Sequence, residues 1–349
     1  MTTYTPFSSQ GGLFVCANSG FGFVSYFKEL LQDSSTLYLV KGGPGTGKSG
    51  LMKKVWREAE KRALPVLPIL CSSDPSSLDG LILPEQGVAF ADATAPHLLE
   101  PLLPGAREQI ADTGRFWNAS ALAARKKELE LLSLGKKELY SRAYLLLEAA
   151  KNAALCRESL SNELLDLKKG EQTVSRWAKK VFSKKGKATV LFQKALSMRG
   201  ALISDALLKR ADCIVTILPR YAASTHLLEL LLQKAREKEQ RMLLLLDPLT
   251  LKPDALYFEE SRCLFRCGDA LLLERERIVD PRRLLSSPEK SRKDQLKRLE
   301  KSEEMLVHSA LELLSEVKDL HFKAEEIYGS AMDFSSLEEY ENELLSSLF

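Results

Sequence analysis

The sequence is short of residues that mark several common classes of protein. It has four histidines and six cysteines in 349 residues. The cysteines are scattered along the chain, at Cys16, Cys71, Cys156, Cys213, Cys263 and Cys267. Cys263 and Cys267 are spaced as a pair, but no second pair and no nearby histidine completes a zinc set. We therefore expect reduced thiols and no metal–thiolate site.

An excess of charge of one sign is also missing. The 50 basic residues are nearly balanced by 47 acidic ones, which makes nucleic acid an unlikely partner. No apolar run approaches the roughly 20 residues that a membrane-spanning helix needs. The first residues lack the charged and apolar segments of a secretory signal. These absences lead us to expect a cytoplasmic protein without a membrane span.

The most informative stretch is Gly-Gly-Pro-Gly-Thr-Gly-Lys-Ser at positions 42–49, a full match to the phosphate-binding loop pattern G-x-x-x-x-G-K-[ST]. Glycines allow backbone conformations that turn successive N–H groups toward phosphate oxygens. An apolar run, 37–40, precedes the loop, and the spacing of apolar residues over 48–62 predicts a helix after it. Strand, glycine loop and helix form the context that the motif requires. The residues expected to bind a nucleotide triphosphate are Gly42, Gly43, Pro44, Gly45, Thr46, Gly47, Lys48, Ser49 and Gly50.

Two of these loop residues and two aspartates are the candidates for chemistry. Lys48 is expected to contact the β- and γ-phosphates of ATP, and Ser49 to bind Mg²⁺. Asp92 ends the apolar run Val88–Ala91, the pattern of a second metal-binding carboxylate on a neighbouring strand. Asp74 follows a predicted second strand, where it would orient water or a substrate hydroxyl; helix capping near Ser76 is an equal alternative.

Weaker candidates surround these residues. Thr94 is a possible γ-phosphate sensor, and Glu85 a possible group for polarising water. His97 is in reach of the predicted site, although a lone histidine after a proline is more often structural.

The pattern along the chain predicts an α/β fold of the P-loop NTPase type, a three-layer α/β/α core that is tandemly duplicated and carries helical hairpin insertions. The first unit spans 1–118, and a helical arm follows at 119–185, with Gly135 and 168–170 as its expected interruptions. A second α/β unit spans 186–285, and 286–349 is again helical.

An ungapped sequence alignment of the first half with the second supports the duplication. It places Leu37 on Cys213 and the glycine loop on positions 218–225. Lys48 then falls on Ser224, and Ser49 on Thr225. Because the lysine and the glycines are missing, the second loop is not expected to hold a triphosphate.

These residues resemble a family of bacterial P-loop ATPases that are built as two tandem P-loop units. The resemblance rests on 41–49, on Cys71–Asp74 with Ser77–Gly80, and on Asp92–His97. It implies ATP binding and hydrolysis, but no particular substrate. Typical members keep a phosphate loop in both halves, and this chain departs from them in its second half.

The prediction is therefore a Mg²⁺-dependent ATPase whose helical arms convert nucleotide state into movement or into contact with an unknown partner. Two alternatives stay open. One is a kinase for a small molecule or nucleotide, with Asp74 as base, and the other is a nucleotide-gated binding module with little turnover.

Overall fold

The computed structural model describes residues 2–220, 223–286 and 289–349. In the first half, short strands alternate with two helices before a long helical segment begins. The elements are β1 (Thr5–Phe7), β2 (Leu13–Phe14), β3 (Cys16–Ser19), β4 (Gly22–Ser25), α1 (Phe27–Leu31), β5 (Thr36–Lys41), α2 (Lys48–Lys61), β6 (Leu67–Leu70), β7 (Leu78–Leu83), β8 (Val88–Asp92), β9 (Glu108–Asp112), a 3₁₀ turn (Thr113–Phe116), α3 (Ala119–Ala124), α4 (Lys126–Asn162) and α5 (Leu167–Val181).

The second half follows a closely similar order. Its elements are β10 (Ala188–Leu191), β11 (Lys194–Ser197), β12 (Gly200–Ser204), α6 (Ala206–Arg210), β13 (Cys213–Ile217), α7 (Ala223–Glu237), β14 (Met242–Leu246), β15 (Pro253–Phe258), β16 (Cys263–Cys267), β17 (Glu276–Val279), a second 3₁₀ turn (Pro281–Leu284), α8 (Lys290–Ser330) and α9 (Phe334–Leu348). The protein is thus mixed α/β, as the sequence predicts.

Each half contains a six-stranded sheet, and the two sheets have corresponding strand orders. The first runs β2-β6-β7-β8-β5-β9 and the second β10-β14-β15-β16-β13-β17. In each, the third strand is antiparallel to both neighbours and the other strands are parallel. Parallel strands buried on both faces need near-continuous apolar sequence, which β8 and β14 provide.

The two halves meet at the edges of these sheets. Phe14 and Phe192 exchange two backbone hydrogen bonds, 2.9 and 2.8 Å long, and both side chains are fully buried. The hairpin β3–β4 reaches the second half, where Gly20 N–H donates to Leu249 O. The hairpin β11–β12 reaches the first half, where Met198 N–H donates to Ser73 O. Each half therefore presents a hairpin tip to the other.

The long helices α4 and α8 pack against each other along their lengths. Arg157 pairs with Glu303 and Arg292 with Glu163, each at 2.8 Å, so the two helices are antiparallel. Both carry charged residues throughout, and no described helix has the length and apolarity to cross a bilayer.

Each half contributes a helix that packs against the other half. Helix α5 packs on α7 of the second half, and Trp177 on α5 contacts Phe265 on β16. Helix α9, which follows the second sheet in sequence, packs on α2 of the first half. Isolated antiparallel β-bridges join Trp117 to Met332 and Leu165 to Leu285. They connect the two halves next to the helices that pack on the opposite half. Each sheet is therefore covered partly by the helices of the other half.

Several sequence expectations need correction. Residues 78–83, for which no strand was predicted, form β7, since their apolar side chains are buried in the sheet. Neither expected interruption is found: Gly135 lies within α4, where the helix packs against Leu320, and 168–170 lie within α5. The helices of the arm are instead separated at Arg125 and at 163–166. Strand β17 was not expected. Pro68 lies in β6, and the pairing of this strand with β7 is irregular because the register shifts between Ile69 and Leu70.

Candidate functional site

The glycine loop joins the end of β5 to the start of α2, as predicted. Parallel neighbours β8 and β9 flank β5, so the loop lies at the carboxyl edge of the sheet, where α/β proteins bind ligands. Gly45 and Gly47 have φ of 70° and 86°, a left-handed conformation that favours glycine. The loop thus combines left-handed glycines with the positive end of a 14-residue helix, two features that anion-binding loops share, and we call it the cradle.

Lys48 and Asp92 face each other across this cradle. Lys48 Nζ lies 3.6 Å from Asp92 Oδ2, and it donates hydrogen bonds of 2.8 Å to Gly42 O and Gly43 O. Their side chains are 13% and 16% exposed. Burial raises the pKa of Asp92, and the neighbouring ammonium of Lys48 opposes that rise. The structure thus brings together two residues that are 44 positions apart in sequence (48 and 92).

Hydroxyl groups brace the loop against the neighbouring strands. Thr46 Oγ1 donates to Gly43 O at 2.9 Å and lies 3.1 Å from Thr113 Oγ1, which donates to Lys41 O. Thr94 Oγ1 donates to Gly42 O at 2.9 Å, so this residue supports the loop backbone. Ser49 Oγ accepts the Leu78 N–H at 3.0 Å, which fixes its hydroxyl at the start of α2.

The end of α8 and the helix α9 pack against the loop. A Cβ placed on Gly43 would lie 3.0 Å from the ring of Tyr328, and one on Gly45 would lie 2.6 Å from Glu325 O. Leu337, which is 3% exposed, lies against Gly47. Residues 325–348, which we call the C-terminal cover, therefore contact the loop at three of its glycines.

One charged contact fastens the cover to the first helix after the loop. Lys54 Nζ lies 2.5 Å from Glu341 Oε2, whose side chain is 5% exposed, and 3.6 Å from Glu338. A hydrogen bond from Lys54 to the buried Glu341 raises the pKa of the lysine, which keeps its ammonium group charged at neutral pH.

Asp74 lies at the same edge but is engaged with the second half. Its carboxylate accepts hydrogen bonds from Arg199 Nε at 2.6 Å and from Ser76 N and Oγ. Burial opposes ionisation of Asp74, but the bonds from Arg199 and Ser76 outweigh it and lower its pKa. The segment directly after Asp74 forms a turn and then β7, not a helix, so the helix-capping alternative is wrong.

Other candidates lie away from the loop. His97 contacts Cys16, Asp79 and the rings of Phe23 and Phe27. Glu85 lies in the turn between β7 and β8, at the opposite edge of the sheet, because β7 is antiparallel to β8. It is exposed and far from any position at which it would polarise water in the cradle.

The second loop differs from the first in spacing as well as in residue types. Val40 pairs with Asp92 and Ile217 with Cys267, so the strands before the two loops correspond at an offset of 177 residues (40 to 217). In the helices the offset is 176, because Leu51 and Leu227 are both fully buried and the chain leaves each helix through a residue of positive φ, Ala63 or Glu239. Lys48 therefore corresponds to Ser224, as the ungapped alignment predicts, and Ser224 Oγ lies 3.0 Å from Cys267 Sγ. Tyr221 and Ala222 of the predicted second loop lie outside the described residues.

The sequence did not predict the residues that reach the site from distant parts of the chain. Thr113 follows a strand that was not predicted, and Arg199 and Tyr328 reach the first half from the second. Arg199 lies at the tip of the β11–β12 hairpin, as Phe21 lies at the tip of the β3–β4 hairpin, so a comparison of the two halves of the sequence is the signal that points to it. No local motif indicates Tyr328 or Leu337.

Comparisons with known proteins add no family. The chain matches no protein-family model, no curated protein and no solved structure. Its site is therefore interpreted from its own geometry.

Proposed function

We propose that the chain is a Mg²⁺-dependent ATP-binding protein that hydrolyses ATP at the 42–49 loop. The observation that carries the proposal is the placement of Lys48 beside Asp92. Both lie at the carboxyl edge of the adjacent parallel strands β5 and β8, and the loop that leads to Lys48 contains left-handed glycines. A cation, a carboxylate and inward backbone N–H groups are the parts that triphosphate chemistry needs.

The residues present fit a bound Mg²⁺–nucleotide. A Cβ at Gly42 would lie 2.4 Å from Thr46 Oγ1 and Thr113 Oγ1, so the loop is closed around positions that only glycine can occupy. Ser49 and Asp92 would hold Mg²⁺, which supplies charge neutralisation at the phosphates when bound. Lys48 would exchange its bonds with Gly42 O and Gly43 O for phosphate oxygens, where it stabilises developing negative charge.

The C-terminal cover supports a role in coupling. Tyr328, Glu325 and Leu337 contact the loop glycines directly, so a phosphate that reshapes the loop changes the surface on which the cover packs. Helix α8 continues from the cover along α4 to the second half. Nucleotide binding at the loop would thereby shift the position of the long helices.

The matching strand orders support the proposal that the halves arose by duplication of one P-loop unit. The second half lacks a lysine at the start of α7, where Ser224 stands in place of Lys48, and Cys267 stands in place of Asp92. We therefore assign nucleotide binding to the first half alone.

The lowered pKa of Asp74 and its pairing with Arg199 weigh against a role as the base of a kinase. An assay of phosphate release distinguishes the ATPase from the kinase and from the binding module. Purified protein with Mg²⁺ and ATP is expected to release phosphate without any added acceptor. Release that requires a particular metabolite would favour the kinase. Tight ATP binding without phosphate release, with or without a metabolite, would favour the binding module.

Two variants serve as matched controls for this assay. Lys48→Ala is expected to abolish both nucleotide binding and phosphate release, because it removes the cation of the cradle. Ser224→Ala changes the corresponding helix of the second half and is expected to leave both unchanged. Equal loss in both variants would contradict a single active half.

A further inference from the structure

A cluster of three buried side chains lies beside the first sheet and takes no part in the proposed nucleotide chemistry. Cys16 begins β3, Asp79 lies near the start of β7 and His97 follows β8. Their ligand atoms lie within 4.8 Å of one another. Cys16 is 0%, Asp79 4% and His97 8% exposed, so water reaches none of them freely.

A bulge in the sheet aims Asp79 into this cluster. Ile69 pairs with Gly80 and Leu70 with Leu78, which leaves Asp79 as the extra residue. Asp79 Oδ2 lies 3.4 Å from His97 Nε2, and in the described part of the chain it has no hydrogen bond of good geometry. A buried carboxylate oxygen without a well-placed donor is costly, and an ion is one of its ordinary explanations.

The second half offers a direct comparison at the corresponding place. Asp254 is the extra residue of the equivalent bulge, between the pairs Leu245–Ala255 and Leu246–Pro253. There Lys194 Nζ lies 2.5 Å from Asp254 Oδ1 and supplies the balancing cation. Lys194 follows Phe192 by two residues, just as Cys16 follows Phe14, so Cys16 stands where the lysine would be.

The spacing of the atoms is somewhat wider than that around a bound zinc ion. Zinc–ligand bonds at a tetrahedral angle separate a sulfur and a nitrogen by about 3.5 Å, and a nitrogen and an oxygen by about 3.4 Å. Cys16 Sγ lies 3.4 Å from His97 Nδ1, whereas Asp79 Oδ2 lies 3.4 Å from the other ring nitrogen, Nε2. One ion binds only one of these nitrogens, so the three ligand atoms, which lie within 4.8 Å of one another, draw together around the ion.

We propose that Cys16, Asp79 and His97 form a binding site for one Zn²⁺ ion, separate from the Mg²⁺–nucleotide site. Thiolate, imidazole and carboxylate together select zinc over magnesium, which prefers oxygen ligands alone. The ion ties β3, β7 and the segment after β8 together, and so stabilises the first half.

Cobalt titration of the full-length protein tests the site, since thiolate-bound Co²⁺ gives a charge-transfer band in the near ultraviolet. We expect the wild type to show this band, to saturate at about one Co²⁺ per chain and to lose it when Zn²⁺ is added. Absence of the band from the wild type, with correct folding verified by circular dichroism, would overturn the proposal without any variant.

Variants then assign the ligands. Cys16→Ser, nearly isosteric, is expected to lose the band, and His97→Gln to weaken Co²⁺ binding while all thiols remain. Cys156→Ser removes an exposed thiol on α4 and is expected to keep the band. Lys48→Ala is also expected to keep it, which separates this test from the proposed nucleotide site. A band that persists in Cys16→Ser would place the metal elsewhere and refute the assignment.

Discussion

The loop glycines provide a test in which two similar substitutions have opposite expected effects. Gly45 has φ of 70°, and a Cβ there would lie 2.6 Å from the backbone oxygen of Glu325. Gly50 lies in α2, is exposed and has no atom within 4 Å of an added Cβ. The pair therefore compares Gly→Ala in the cradle with Gly→Ala in the adjoining helix.

The expected magnitudes follow from these contacts. A left-handed non-glycine residue costs about 1–2 kcal/mol, and forcing a methyl group into a packed contact costs about 1–3 kcal/mol more. Gly45→Ala should therefore lower the free energy of unfolding by about 2–5 kcal/mol. Gly50→Ala should raise it by about 0.5–1 kcal/mol, because alanine loses less backbone entropy in a helix.

Denaturant unfolding and binding of a fluorescent ATP analogue measure the two effects. Because the loop N–H groups depend on the left-handed φ of Gly45, we expect Gly45→Ala to weaken nucleotide binding as well, and each loss of about 1.4 kcal/mol in binding free energy raises Kd tenfold. Gly50→Ala keeps its backbone N–H and should bind with nearly unchanged Kd. Wild-type stability together with wild-type Kd in Gly45→Ala would refute both the packing of the cover on the loop and the role of the loop as cradle.

Two further predictions concern contacts between distant parts of the chain. Leu337→Ala should cost about 2–5 kcal/mol of stability, as for other buried leucines, and increase hydrogen exchange in α9, whereas Phe334→Ala, on the same helix but 52% exposed, should change stability by no more than about 0.5 kcal/mol. Equal effects of both would contradict the docking of the cover. Arg199 and Ser76 hold the pKa of Asp74 below its unfolded value, so their stabilisation is present above about pH 4 and is lost as pH falls through the folded pKa. Arg199→Ala should thus be less stable than wild type at neutral pH, by at most about 1 kcal/mol since the arginine is partly exposed, and equally stable in strong acid. A difference that grows on acidification would contradict this sign.

Local patterns in the sequence predicted the elements that carry the loop. The apolar run before Gly42 is a buried strand, the periodic residues after Lys48 form α2, and Asp92 ends the strand beside β5. Each of these depends on short-range signals, either side-chain periodicity or the conformational needs of glycine. They were sufficient to predict the proximity of Lys48 and Asp92.

What the sequence did not predict depends on contacts between distant segments. Strand β7 was missed because its short apolar run, Leu81–Leu83, follows residues typical of a turn. Arg199 reaches Asp74 only because the halves present hairpins to each other, and Tyr328 reaches Gly43 only because the helical segments are exchanged. The Cys16, Asp79 and His97 cluster has no spacing motif, since a bulge and three separate segments assemble it.

The stoichiometry of nucleotide binding tests the central claim most directly. Isothermal titration with a non-hydrolysable ATP analogue and Mg²⁺ should show one site per chain in the wild type and none in Lys48→Ala. Two sites per chain, or undiminished binding in Lys48→Ala, would contradict the assignment of nucleotide binding to the 42–49 loop alone.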